Sequence, residues 1–176
     1  NVYKNVLVIL AAYHASSYTT MPPTLLSNVS SGLFILPFVL FSRMAGQLPD
    51  RYDKTLVLKC VKAFEILIMI VAGVGFATHS IEVLLTVLFM MGVHSTFFAP
   101  AKYGLLPQVL RDRELVGGNA LIEMGTFVAI LLGVLGASFL ASPGSLTVVS
   151  VTVIAVAVAG FLVSLAIPRL APVAPE

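Results

Sequence analysis

The chain has 176 residues, 59% of them hydrophobic and only 10% charged, with a mean hydropathy of +1.03. Soluble domains run at about 45–50% apolar and about 25% charged, so the composition argues against a water-soluble helical core. A single cysteine, Cys60, excludes an internal disulfide and a multi-cysteine metal centre, and the formal net charge of +2 matters less than where the charges sit.

Crossing the hydrocarbon takes about 20 apolar residues. Val2 to Tyr13 is apolar but shorter than that, and is expected to be the end of a truncated first helix. With no initiating Met, the chain is expected to be a fragment rather than a signal peptide followed by a mature domain. Residues 15–28, rich in Ser, Thr and Pro, predict a loop. Val29 to Arg43 is the apolar heart of a second helix, starting as early as Leu25, with Pro37 inside it; membrane helices tolerate such a proline. Gly46 to Lys54 is a charged loop. Thr55 to Thr78 predicts a third helix, His79-Ser80 a minimal turn, and Ile81 to Ala99 a fourth helix stopped near Pro100. Ala101 to Gly118 is polar, and Pro107 is placed to open a short surface helix carrying Arg111, Asp112, Arg113 and Glu114. Asn119 to Ala141 predicts a fifth helix, Ser142-Pro143-Gly144 a tight turn, and Leu146 to Ile167 a sixth helix ended by Pro168. Residues 1–168 therefore form one bundle of six membrane helices, and 169–176 begin a linker.

Orientation follows from counting. Nine of the ten Lys and Arg residues lie in or beside the second-to-third connection, the fourth-to-fifth connection or the tail. Residues 15–28, 78–81 and 142–145 carry none. Cytoplasmic loops hold the basic excess, which places 43–54, 101–118 and the tail in the cytosol.

Enzyme chemistry finds no foothold. There is no phosphate-binding Gly-x4-Gly-Lys-Ser/Thr loop and no nucleophile elbow. His14, His79 and His94 stand at no metal-ligand spacing from one another. No cofactor, metal or nucleic-acid partner is expected. Charges inside spans are costly and mark function by default. Lys4, about 12 residues from the end of its helix and so roughly 18 Å deep, is a candidate for a substrate-facing cation, flanked by Asn1 and Asn5; the alternative is a lysine that snorkels to the surface. Glu123 lies one turn into the fifth helix, either facing a cavity or favoured by the helix N-terminus. His94, among Gly92, Ser95 and Thr96, either lines a polar pocket or bonds a neighbouring helix. Lys62 and Glu65 read as a surface pair three residues apart, Glu82 reads as interfacial, and Lys102 is either a phosphate ligand or an interfacial anchor. Glycines at 73, 75, 125, 133 and 136 permit close helix approach.

Gly46-x-Leu48-x-Asp50-Arg51-x-Asp53-Lys54 resembles the signature segment between the second and third helices of the major facilitator superfamily, whose usual form is Gly-x-Leu-x-Asp-Arg-x-Gly-Arg/Lys. Asp53 replaces the usual Gly, and Asp also tolerates a left-handed turn. The resemblance implies a gating role for Gly46, Asp50, Arg51 and Lys54, bracing neighbouring helix ends in the outward-facing state. Asn1-Val-Tyr-Lys-Asn5, the stretch His94 to Gln108 and the stretch Glu114 to Glu123 resemble bacterial lysophospholipid transporters, most of all those fused ahead of acyltransferase and acyl-ligase domains.

That resemblance implies an all-α membrane protein: the N-terminal six-helix half of a twelve-helix major facilitator fold. It also implies alternating access in the bacterial inner membrane and a lysophospholipid substrate met by Asn1, Lys4, His94, Lys102 and Glu123. The implied partners are the bilayer, the missing C-terminal half and a fused or associated acyltransferase. A multidrug exporter of the same superfamily, or a non-transporting anchor for an acyltransferase, remains open at this point.

Overall fold

The computed structural model describes residues 2–13, 18–140 and 146–168. Every regular element among them is helical: α1 (Val2–Tyr13), α2 (Pro23–Arg51), α3 (Lys54–Ala77), α4 (Ile81–Val109), a single 3₁₀ turn (Asp112–Glu114), α5 (Leu115–Leu140) and α6 (Leu146–Leu165). Five helices are long and apolar enough to cross a membrane, and α1 is shorter. With 35 large apolar side chains exposed among the described residues, including Val39, Val116 and Phe139 at 72%, 81% and 82%, the outer surface would not stay dispersed in water. This is a multi-pass membrane protein.

Two helices run further than the residue pattern predicts. α2 begins at Pro23, whose missing N–H costs nothing in a first turn, and continues through Gly46, Asp50 and Arg51. Its 29 residues reach about 43 Å, beyond a hydrocarbon core of about 30 Å. The charged stretch is therefore the helix end emerging from the apolar layer rather than a loop. The connection shrinks to Tyr52 and Asp53. Asp53 is not left-handed either. It has φ −53° and ψ 114° and caps α3, its Oδ1 accepting from Thr55 N at 2.8 Å and Leu56 N at 3.4 Å. α4 likewise passes through Pro100 and Pro107 to Val109. Pro107 therefore ends a helix instead of opening one, and α5 starts at Leu115 rather than Asn119. The expected turn at 142–144, His14 and the tail from 169 lie outside the described residues.

The turn at His79-Ser80 is as expected. His79 takes φ 53°, the left-handed residue that reverses the chain, and Ser80 caps α4 by accepting from Val83 N at 3.4 Å. Tyr18 stacks on His79 with ring centroids 5.3 Å apart, and its burial raises the phenol pKa. At the opposite end Lys54 lies along α4, where a Cβ on Gly104 would come within 2.9 Å of its Cε. There too, Thr55 Oγ1 donates to Pro168 O at 2.9 Å. The α2–α3 junction and the ends of α4 and α6, where the basic residues concentrate, thus share one end of the bundle.

The main core joins α1, α3, α4 and α6 through Tyr3, Val6, Met69, Phe76, Leu84, Leu88 and Val153. Tyr3, 2% exposed, donates its hydroxyl to Leu84 O at 2.6 Å, so its buried polar tip is satisfied. α4 packs closely along α2 at Gly92, where an added Cβ would sit 2.5 Å from Phe34 O and 2.9 Å from Pro37 Cγ. We therefore expect Gly92→Ala to lower stability by about 1–3 kcal/mol through overpacking. Gly125→Ala, with no atom within 4 Å of the new carbon, should leave it unchanged or slightly higher. Thermal unfolding of the detergent-solubilised protein checks the contrast, and equal midpoints for the two variants would refute it.

Candidate functional site

Three of the ionisable groups within the helices, Lys62, His94 and Lys102, converge on one aromatic ring. Phe98, in the middle of α4, has the Lys62 ammonium 4.8 Å from its centroid and the Lys102 ammonium 6.0 Å from it. His94, one turn earlier, stacks on the same ring at 5.6 Å. These placements follow from helical spacing. His94, Phe98 and Lys102 are four residues apart along α4 and share a face, and Lys62 and Glu65 are three apart on α3.

Glu65 Oε2 lies 2.7 Å from Lys62 Nζ and 3.5 Å from His94 Nε2. The first contact is a charge-assisted hydrogen bond. The second is an electrostatic contact without hydrogen-bond alignment, since both ring nitrogens of His94 are buried and unpartnered. The surface pair expected from the sequence does form, but it is not on the surface. Its side chains are 19% and 15% exposed, because α4 and α6 cover that face of α3. At Gly160 of α6 an added Cβ would come within 3.1 Å of Lys62 Nζ.

A second pair of contacts joins α4 to α5. Lys102 Nζ donates to Thr126 Oγ1 at 3.3 Å and stands 4.5 Å from the Tyr103 ring. The Tyr103 hydroxyl donates to Glu123 Oε1. Glu123 and Thr126 are three apart, so one face of α5 meets both partners. Three of the predicted residues, His94, Lys102 and Glu123, are thereby brought together.

Lys4 stands elsewhere, its ammonium 4.6 Å from the Phe34 ring on α2, and no described contact joins it to the Phe98 cluster. Asn5 is half-buried on α1, and Asn1 lies outside the described residues. Of the residues expected to gate, Gly46, Asp50 and Arg51 are exposed on the last turns of α2, whereas Lys54 is buried at 5% exposure.

The cluster borders a groove of about 390 Å³, lined by Phe98, Leu105, Leu58, Ile122 and Val163 and by the side chains of Lys62 and Lys102. A smaller cavity of about 140 Å³, lined by Tyr3, Met69, Met91 and Val153, touches the other side of Glu65. An almost wholly apolar groove in the drug-sized range, bordered by two lysine side chains, suits a molecule with a hydrocarbon portion and one anionic group. Among the described residues no cluster of His, Cys, Asp and Glu has the makings of a metal site.

No family model matches the chain, and no solved structure matches it. Curated relatives do. The chain is 30% identical over 132 residues to the lysophospholipid transporter LplT of Photorhabdus laumondii, a match covering 75% of this chain and 31% of the relative. It is 27% identical over 140 residues to the LplT of Pectobacterium carotovorum and 28% over 141 to that of Yersinia pestis, each match covering 78% of this chain and 32% of the relative. The chain is related to the bacterial lysophospholipid transporters. It spans about a third of the length of the lysophospholipid transporters it matches, so their activity reaches it only as a proposal.

The residues that sequence reasoning passed over are Lys62, Glu65 and Phe98. A signal for the first two was present. Opposite charges one turn apart, within a helix whose surroundings are apolar for several turns, are expensive unless they are covered and paired. Nothing in the sequence pointed to Phe98, whose role depends on which helices meet it. Glu65→Ala, which strands the Lys62 ammonium in a half-buried site, is expected to cost about 1–3 kcal/mol. The double variant Lys62→Met/Glu65→Met should recover most of that, because removing both partners leaves no uncompensated charge. Unfolding midpoints of the single and double variants measure this; a double variant no more stable than the single one would show that the pair is not coupled.

Proposed function

We propose that this chain is the N-terminal six-helix half of a major facilitator carrier, with α1 forming part of its first helix, that moves lysophospholipid across the bacterial inner membrane. The observation that carries this reading is the pair of lysines over Phe98 at the head of an apolar groove, in a chain related to lysophospholipid transporters. The phosphate of a lysophospholipid needs cationic donors, and Lys102 and Lys62 supply them. Its single acyl chain needs an apolar slot, and the walls of the groove supply that. Its ammonium, in an ethanolamine headgroup, needs an anion or an aromatic face; Glu123, beside Tyr103 and a helical turn from Thr126, is the nearest carboxylate to Lys102 on α5.

Transport in this reading is alternating access. The half rocks as a unit against a C-terminal half of similar size, and the exposed turn Gly46–Arg51 with Lys54 takes the gating role at the cytosolic end. The concentration of Lys and Arg at that one end supports a cytosolic placement. A fused or associated acyltransferase would consume the delivered lysolipid. No cofactor enters the cycle.

Uptake of labelled lysophosphatidylethanolamine by spheroplasts producing the full-length protein tests the reading. Lys102→Gln is expected to lower uptake by about tenfold, the equivalent of one charge-assisted hydrogen bond of about 1.4 kcal/mol, with membrane insertion unchanged. Unaltered uptake in Lys102→Gln and in Lys62→Met/Lys102→Gln would remove the groove from the transport path, and no uptake above an empty-vector control would leave the anchor role in its place.

A further inference from the structure

We propose that the first two turns of α3 are a latch that holds the end of α6, and with it one wall of the groove, in register with the α2–α3 junction. This rests on the carrier reading for its consequence, but not for its geometry.

α6 leaves regular helix at Leu165. Ala166 N and Ile167 N bond back only three residues, to Val163 O at 3.1 Å and Ser164 O at 3.3 Å, and Pro168 has no N–H with which to continue. The final carbonyls of such a helix have no partner within it, and they gather partial negative charge. α3 provides partners for two carbonyls just beyond that end, Ile167 O and Pro168 O. Thr55 Oγ1 donates to Pro168 O at 2.9 Å, and Lys59 Nζ donates to Ile167 O at 3.0 Å. Thr55 is fully buried, so its hydroxyl has no water to exchange for that carbonyl. The lysine adds a positive charge where the end of a helix favours one.

Both donors sit within six residues of Asp53, whose side chain caps α3 through Thr55 N and Leu56 N. Lys54, between them, lies in the space left by Gly104 of α4. One short segment therefore grips the ends of α4 and α6 and is joined to the gating turn of α2 by only Tyr52 and Asp53.

Val163 and Ser164 of α6, and Ile167 just beyond it, line the groove together with Leu58 and Lys62 of α3. Ile167 carries the carbonyl that Lys59 holds. Releasing the two bonds lets the last turn of α6 swing away and widens the groove at that end; keeping them ties the width of the groove to the position of the α2–α3 junction. Thr55 and Lys59 are thus positioning residues. They touch the wall of the groove rather than its contents.

The test uses the full-length protein in nanodiscs, with Cys60→Ser as background and spin labels at Leu56→Cys and Ala166→Cys, both at exposed positions. Dipolar broadening of the continuous-wave EPR spectrum, which reads labels this close together, should give one narrow distance distribution in this parent. Thr55→Val/Lys59→Met should broaden it or split it, while Thr55→Ser and Lys59→Arg, which keep the donors, should retain the narrow form. Uptake of lysophosphatidylethanolamine, measured on the same variants without labels, should fall by about tenfold in the double variant and stay near parent in the conservative ones. An unchanged distance distribution in the double variant overturns the latch. A broadened distribution with unchanged uptake overturns its link to the groove. If the parent itself shows no lysolipid uptake, the carrier reading fails, and the distance measurement still decides the latch.

Discussion

A peptide backbone in hydrocarbon has no water to bond, and each N–H or C=O left alone there costs several kcal/mol. That constraint explains the features in which this chain departs from soluble helical proteins. It makes helices long: α2 and α4 each run 29 residues and continue through prolines that would break a helix in water. It makes turns short and fully bonded, as at His79-Ser80 and Asp53, where a side-chain cap or a left-handed residue closes the chain with little backbone to spare. It also leaves the loose carbonyls at the end of α6 in need of donors, which Thr55 and Lys59 provide from another helix.

The same absence of water governs the charged residues. Lys62 and Glu65 are close enough to neutralise each other, and His94 is stacked against the ring that both lysines face. The aromatic ring matters here because its faces are electron-rich. It gives an ammonium group a partner that brings no second full charge into the bundle. Glu65 balances Lys62 directly, while Glu123 is held by the Tyr103 hydroxyl and Lys102 by Thr126. The cluster therefore carries two positive and two negative groups, and Lys102 is its cation with no direct carboxylate contact among the described residues.

Much of the plan was legible in the residues. The five long apolar runs, the turn at 79–80 and the clustering of Lys and Arg on alternate connections can be read from composition and spacing, and Lys102, His94 and Glu123 can be picked out as charged or polar groups in apolar surroundings. The boundaries at the charged ends were not legible, because Gly46–Arg51 and Ala101–Val109 look like loops by composition. A helix that has already paid its nucleation cost keeps adding residues after it leaves the apolar layer, and polarity does not oppose it there. Lys62 and Glu65 were misplaced for a related reason. A pair three residues apart looks the same on a solvated face as on a covered one until the neighbouring helices are in position.

What the residues alone determine is a chain that crosses a membrane several times, with most of its basic residues grouped in or beside alternate connections, because hydropathy and charge are summed locally along the chain. Where the charges go within the bundle is a different kind of information. That Lys62 and Lys102, forty residues apart, share the Phe98 ring, and that Thr55 reaches Pro168, depends on how α3, α4 and α6 pack. Packing is set by small differences in shape, such as the missing side chains of Gly92, Gly104 and Gly160, which show their effect only when two helices meet.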